Sequence, residues 1–138
     1  MILSKKTRYA IVALTRLARE YGKSPILIRE IAEEEKIPQS FLENILLELK
    51  KIGVLGSYLG KSGGYYLLKN PGEVNLADIV SHFEGTLSLM YCVSEKSYRP
   101  CEFCKDEKTC EIRKVFKEVH DSTNAILSRT TLEALIKT

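Results

Sequence analysis

One stretch sets the architecture of this chain: from Leu27 to Gly53 it is LIREIAEEEKIPQSFLENILLELKKIG. Its first part, up to residue 35, predicts a short helix. Pro38 then separates this helix from the next, since proline pushes the preceding residue out of helical geometry. Apolar side chains after Pro38 recur at three- and four-residue steps, which predicts a second helix that begins with a Ser40–Glu43 capping box. Two helices joined by so short a turn are typical of a helix-turn-helix.

The second helix of this pair carries a polar face that suits DNA recognition. In a helix-turn-helix this helix lies in the major groove, with its N-terminal residues against the base edges. Glu43 can accept a hydrogen bond from cytosine, and Asn44 can pair with adenine. A helical hairpin with a polar outer face and no nucleic-acid role is the plain alternative. The residues of this helix that we expect to contact DNA are Gln39, Ser40, Glu43, Asn44, Lys50 and Lys51.

A β-hairpin with a basic tip is predicted directly after this helix. Val54–Tyr58 and Tyr65–Lys69 have the composition of strands, and the turn between them is rich in glycine. A hairpin in this place is a wing, and Lys61 at its tip is expected to reach a DNA groove or backbone. The turn also resembles part of a phosphate-binding loop, but its spacing and its place between two strands exclude nucleotide binding.

The first predicted helix, which runs to about Tyr21, carries positive charge at its start. Lys5, Lys6 and Arg8 lie in its first turns, where basic side chains oppose the helix dipole. A phosphate group of bound DNA would explain this charge, and solvated surface charge is the alternative. We therefore expect these three side chains to contact DNA.

Composition limits the class of protein. With 138 residues, 44% hydrophobic and 28% charged, the chain suits one soluble domain, and no apolar stretch approaches the ~20 residues that a membrane span needs. Charge near the N-terminus argues against a secretory signal, so we expect a cytoplasmic protein. Residues 1–69 carry twelve Lys and Arg against seven Asp and Glu, whereas residues 70–138 carry nine against eleven. The basic first half predicts a polyanion as its partner.

Four cysteines lie close together in the second half: Cys92, Cys101, Cys104 and Cys110. In a cytoplasmic protein such a group indicates a metal or redox site rather than a disulfide scaffold. Cys110 opens a predicted helix, where the helix N-terminus and nearby lysines favour the thiolate. Sulfur ligation suits an iron–sulfur cluster or zinc, and a single close pair, Cys101 and Cys104, argues against a simple zinc finger. A thiol switch and inert thiols are the alternatives.

A long helix is predicted from about Cys110 to Ser128, and it carries an apolar stripe. A stripe with three- and four-residue steps belongs either to the core or to a seam between two protomers. Its members include Ile112, Val115, Phe116, Val119 and Ile126.

Three segments together resemble the Rrf-type winged-helix transcriptional regulators: Arg8–Ala10, Ile37–Glu43 and Gly60–Leu67. This family includes iron–sulfur cluster regulators, nitric-oxide sensors and repressors of cysteine metabolism, and the resemblance covers nearly the whole chain. It implies a homodimer on a roughly palindromic operator in double-stranded DNA, with recognition helices in successive major grooves and wings in the minor groove. It also implies that Glu43 helps to discriminate operator sequences. Many members carry arginine where this chain has Leu59, so the wing contact shifts to Lys61 or weakens.

The resemblance extends to the cysteines, because cluster-binding members use three cysteines in this region. It implies Cys92 and Cys110 as outer ligands, with Cys101 or Cys104 between them. The iron–sulfur regulators add a histidine three residues after the last cysteine, but here Arg113 holds that place and is not a ligand. The spare cysteine, or an acidic residue of the partner protomer, would then complete the site. The resemblance also favours the dimer seam for the apolar stripe.

We therefore predict a mostly α-helical fold, a winged helix-turn-helix with a small β-hairpin and a long C-terminal dimerisation helix. Residues 1–70 would bind DNA, and residues 71–138 would form the cysteine sensor loop and the dimer seam. The predicted function is a homodimeric DNA-binding regulator modulated by a 2Fe–2S or 4Fe–4S cluster or by thiol state. The alternatives are a metal-independent regulator that responds to a partner protein or thiol oxidation, and a protein-interaction adaptor. An enzyme, a small-molecule substrate and a membrane partner are not expected.

Overall fold

A computed structural model describes residues 3–60, 63–95, 98–101 and 106–137. Within these residues the helices are α1 (Lys5–Arg19), α2 (Ile28–Glu35), α3 (Gln39–Lys51), α4 (Leu76–Glu84), α5 (Glu111–Arg129) and α6 (Leu132–Ile136). The strands β1 (Leu55–Tyr58) and β2 (Gly64–Leu67) form one antiparallel hairpin between α3 and α4. The predicted architecture, mostly α-helical with a small hairpin after the helix-turn-helix, is confirmed.

The helix-turn-helix turn uses one residue in the left-handed region. Lys36 has a φ of 55° and ends α2, Ile37 is buried, and α3 begins at Gln39 directly after Pro38. No side chain caps α3, so the predicted Ser40–Glu43 capping box is wrong. The helix starts two residues earlier than the box requires, which places Ser40 inside the first turn.

A single hydrophobic core joins the helix-turn-helix to α1, the hairpin, α4 and α6. Its largest fully buried side chains include Leu14, Leu17, Ile31, Leu42, Ile45, Leu46, Leu49, Leu55, Ile79 and Leu132. Four of these come from α3, so the core holds one whole face of that helix. The position of α3 is therefore fixed by the chain itself.

The hairpin is anchored to the segment that precedes α2. Ile26 and Tyr65 exchange two backbone hydrogen bonds, of 2.9 and 2.8 Å, and form an isolated antiparallel bridge. Gly64 makes this approach possible: its φ is 132°, and a Cβ there would lie 2.4 Å from the Ile26 carbonyl oxygen. The second glycine of the Gly63–Gly64 pair is thus required by contact with the body of the domain.

The fold's second half returns to the core through α4 and α6. The Asn75 side chain caps α4 by accepting from the Asp78 N–H, and Gly85 ends the helix with a φ of 83°. The Leu76 N–H donates to the Thr130 carbonyl, and the Leu132 N–H donates to the Val74 carbonyl, which joins the start of α4 to the end of α5. The cysteines lie in the segment between these two helices.

Candidate nucleic-acid interface and cysteine region

The outward face of α3 is polar and open to solvent. Its apolar side chains Leu42, Ile45, Leu46 and Leu49 point into the core. All six residues of α3 that were predicted to contact DNA are exposed: Gln39, Ser40, Glu43, Asn44, Lys50 and Lys51. A helix held by one face, with hydrogen-bonding groups on the other, has the form needed to enter a major groove.

Leu47 also belongs to this outward face, although the predicted contact set omitted it. Its side chain is 41% exposed and lies three and four residues after Asn44 and Glu43, on the same side of the helix. Apolar side chains on recognition helices contact the methyl group of thymine. The signal was present in the sequence, as a leucine outside the buried stripe of α3.

The wing packs beside this face. The Lys50 ammonium donates to the Ser57 hydroxyl at 2.7 Å, which joins the end of α3 to β1. Burial raises the pKa of the Tyr65 phenol, and the Glu43 carboxylate raises it further. Glu43 therefore faces the base of the wing as well as solvent. The Tyr58 and Tyr66 rings stack at 5.1 Å, and Lys61 lies outside the described residues.

The three basic residues at the start of α1 differ in their surroundings. Lys5 and Arg8 are exposed, as a phosphate contact requires. The Lys6 ammonium is instead 3.0 Å from a Glu48 carboxylate oxygen of α3 and lies over the Phe83 ring. Lys6 thus ties α1 to the recognition helix in the free protein.

A carboxylate from α4 holds the N-terminus of α1. Glu84 accepts hydrogen bonds from the Ser4 N–H, at 2.9 Å, and from the hydroxyl of the buried Thr7. The bonds from Thr7 and then Ser4 lower the pKa of Glu84. No sequence pattern pointed to this contact, because its partners lie about 80 positions apart. Glu84 directly precedes Gly85 and the segment that leads to the cysteines.

Three of the four predicted ligand cysteines can be placed, and Cys104 lies outside the described residues. Cys92 is 5% exposed, in a 3-10 turn (Tyr91–Val93) that packs on α5. Cys92 and Cys101 line one cavity of about 370 Å³, together with Arg99. Cys110 is the N-cap of α5, where its sulfur accepts from the Arg113 N–H at 3.4 Å.

The donor set suits a sulfur-ligated iron cluster in its chemistry. Cys110 opens α5, the turn that holds Cys92 packs on this helix, and the Nε of Arg113, three residues after Cys110, is buried without a hydrogen-bond partner. A buried N–H without an acceptor is unfavourable, and an anionic thiolate-bound group would supply one. In the described part of the chain, however, no three His, Cys, Asp or Glu side chains are close enough together to hold a metal ion.

The apolar stripe of α5 faces solvent in a single chain. Ile112, Val115, Val119 and Ile126 are 61%, 57%, 40% and 49% exposed, and Phe116 is half-buried. His120 is the one buried side chain of α5, and its Nδ1 lies 2.9 Å from the Ser88 hydroxyl. The stripe is therefore not part of the chain's own core.

No helix among the described residues is long and apolar enough to cross a membrane.

A family model described as Rrf2, iron-dependent transcriptional regulator, matches residues 3–138. The chain belongs to the Rrf2 family. An rrf2-like HTH-type transcriptional regulator from Rhodobacter capsulatus is 42% identical over 138 residues, which cover 98% of this chain and 92% of that protein. The resemblance stated from the sequence motifs is thereby confirmed.

This Rrf2-family chain is also similar to regulators named IscR and CymR. The HTH-type transcriptional regulator IscR from Pectobacterium atrosepticum is 27% identical over 136 residues, 99% of this chain and 79% of that protein. The structure of CymR, the global cysteine regulator of Bacillus subtilis, superposes with a TM-score of 0.82 at 28% identity, covering 99% of this chain and 97% of that one. The matched proteins are DNA-binding transcriptional regulators and not enzymes.

Proposed function

We propose that this protein is a homodimeric, sequence-specific DNA-binding regulator of the cytoplasm whose operator affinity depends on the state of its cysteines. The observation that carries the proposal is the outward face of α3, exposed along its length while its other face is locked in the core. Residues 1–70 would supply the DNA contacts. Residues 71–138 would supply the sensor and the dimer seam.

On the DNA side, the proposed contacts divide into two kinds. Glu43, Asn44 and Leu47 would meet base edges and so specify sequence. The phosphate contacts would position the protein without specifying sequence, and they come from Lys5, Arg8, Gln39, Ser40, Lys50, Lys51 and, at the wing tip, Lys61. Lys6 would join this group only when its pair with Glu48 opens.

The proposed dimer would form along the exposed stripe of α5. An exposed row of Ile112, Val115, Val119 and Ile126 on one 19-residue helix is unusual for a monomer. Pairing two such helices buries both rows in a seam. The two copies of α3 would then lie on either side of a twofold axis and meet two half-sites of a palindromic operator.

For the sensor, we propose an iron–sulfur cluster, of the 2Fe–2S or 4Fe–4S type, held by residues among Cys92, Cys101, Cys104 and Cys110. Bound there, the group would supply a redox-active anionic centre at the start of α5. The family description as iron-dependent and the unpaired Arg113 Nε support this assignment. Zinc is the weaker candidate, because structural zinc sites usually present two close cysteine pairs.

A chain of contacts supports a route from the cysteines to the DNA-binding helices. The Tyr91–Val93 turn that holds Cys92 packs on α5, and the segment before it begins at the end of α4. There Glu84 holds the N-terminus of α1 through Ser4 and Thr7. A coupling of only ~1–3 kcal/mol along such a route is enough to switch operator binding.

The test compares operator affinity in three states. Operators would be selected from random DNA with the purified protein, and affinity measured anaerobically for iron-reconstituted protein, iron-free reduced protein and a Cys92→Ala/Cys110→Ala variant. We expect reconstituted and iron-free protein to differ by about 5- to 150-fold. The variant should match the iron-free form under both treatments. Equal affinity in all three states would refute cysteine control while leaving DNA binding intact.

A metal-independent regulator is the second candidate. It is favoured by the structural similarity to CymR, the global cysteine regulator of Bacillus subtilis. Iron analysis and visible absorption of anaerobically purified protein separate the two candidates, since only the first predicts iron and sulfide with a coloured chromophore. An adaptor without DNA binding would show no operator affinity that weakens steeply with salt.

A further inference from the structure

Arg113 is the one guanidinium of the cysteine region whose Nε is buried without a hydrogen-bond partner. The Arg99 guanidinium, by comparison, rests 5.0 Å from the centre of the Tyr91 ring. Buried cationic groups are normally paired, because desolvation without compensation is unfavourable. Arg113 as a whole is partly exposed, but its buried Nε–H lacks an acceptor, so an anion beside it would be stabilising.

Two of the described carboxylates near the start of α5 have other partners. Glu107 accepts from the Tyr98 hydroxyl, and Glu111 lies 3.4 Å from the Lys114 ammonium. The Cys110 sulfur lies beside Arg113 and accepts from its backbone N–H at 3.4 Å. Arg113 follows Cys110 by three residues, so both lie on one side of the first turn of α5. The hydrogen bond to Glu107 raises the pKa of the Tyr98 phenol, while the charge of Arg113 lowers it and that of Cys92 raises it to a lesser extent.

We propose that Arg113 is the cationic partner of anionic sulfur in this site, acting on Cys92 and Cys110 whether their thiolates are free or bound to iron. The inference rests on the proposed function in taking the cysteines as the sensor. Arg113 is a positioning residue and not a ligand, since a guanidinium keeps its proton and has no lone pair to donate.

The first experiment needs no iron and reads local charge at each thiol. Reduced, iron-free protein is alkylated anaerobically with iodoacetate, which is anionic, or iodoacetamide, which is neutral, and the rate at each cysteine is followed by mass spectrometry. In Arg113→Met, the ratio of the iodoacetate rate to the iodoacetamide rate should fall about three- to fivefold below wild type at Cys92 and Cys110. Arg113→Lys should keep most of the ratio, and Lys114→Met, which removes an adjacent exposed charge, is the matched control. An unchanged ratio in Arg113→Met overturns the inference.

The second experiment asks whether the same charge acts on bound iron. Protein reconstituted anaerobically with iron and sulfide is titrated in a spectroelectrochemical cell. A cation beside the centre stabilises its reduced, more negative form, so Arg113→Met should have a lower midpoint potential than wild type, with Arg113→Lys near wild type. Equal potentials in all variants would contradict the inference for the iron-bound state.

The two experiments fail separately. If no form of the protein takes up iron, the proposed cluster is wrong, while the alkylation ratios still judge Arg113. If Arg113→Met does not fold, as judged by circular dichroism, the charge-retaining Arg113→Lys and the neutral, polar Arg113→Gln carry the same comparison.

Discussion

The helices α3 and α5 place their apolar side chains in opposite surroundings. In α3, Leu42, Ile45, Leu46 and Leu49 are fully buried in the core of the chain. In α5, which is six residues longer, the apolar stripe is exposed, and His120 is the only buried side chain. The chain thus buries the apolar face of α3 by itself, whereas it leaves the apolar stripe of α5 exposed.

The largest expected effect is on folding, at a buried position of α3. Leu46→Ala should lower the free energy of unfolding by about 2–5 kcal/mol, because it leaves a cavity in a fully packed site. Leu47→Ala is the matched control: the same change at the neighbouring exposed position should cost less than about 0.5 kcal/mol. Urea unfolding of both variants checks this. Similar losses would mean that α3 is not held by one face.

The next effect is on assembly, at the exposed stripe of α5. Val115→Asp with Val119→Asp should leave the monomer folded but separate the dimer, since two charges would face a closed apolar seam. Operator affinity should fall by about 100-fold or more, because each half-site is then bound alone. Sedimentation and anisotropy measure the two changes. Glu118→Ala, on the same stretch of helix, should alter neither, and a dimer that survives the double substitution would remove α5 from the interface.

A smaller effect separates the two kinds of DNA contact on α3. Asn44→Ala should weaken the selected operator by about 1–3 kcal/mol and relax the preference at one base pair. Lys51→Ala should weaken all sequences alike and reduce the slope of log affinity against log salt by about 1. Binding titrations on single-base operator variants at four salt concentrations distinguish these outcomes. Identical behaviour of the two variants would contradict the assignment of base and phosphate contacts.

The smallest effect tests the contact that joins α4 to α1. Hydrogen bonds lower the pKa of Glu84 in the folded state below its ordinary value of 4.5. They therefore stabilise the folded protein at pH values above 4.5, where the carboxylate is ionised. This contribution is lost as pH falls from about 5 through the folded-state pKa. Glu84→Gln should therefore cost about 0.5–1 kcal/mol at pH 7 and much less at pH 3.5.

Thr7→Val provides the paired check on Glu84, since it removes the hydroxyl donor from the other side. Denaturation of both variants from pH 7 to pH 3.5, each compared with wild type, isolates this carboxylate from Glu34 and Asp121, whose pKa values are also lowered. A difference from wild type that does not change with pH would rule out the ionic part of the contact.

Features that depend on neighbours in the chain followed from the order of residues. Pro38 and the glycine-rich turn located the helix-turn-helix and the wing, and the periodicity of α3 separated its buried from its exposed face. Such signals are local: backbone restriction at proline and glycine, and the angular spacing of side chains on a helix, act within a few residues. The capping-box prediction was wrong because the local signals after Ile37 fit two helix starts that lie two residues apart.

Features that join distant segments required the folded chain. Three such features depend on where α4, α3 and α5 lie relative to their neighbours. They are the hydrogen bonds of Glu84 with Ser4 and Thr7, the Lys6–Glu48 ion pair and the unpaired Nε of Arg113. No periodicity encodes whether a charged side chain meets a partner some 40 to 80 positions away. Burial and pairing are properties of packing. The residue order therefore predicted which side chains face DNA and which cysteines could bind metal, whereas the three-dimensional packing determines which charged side chains already have a partner.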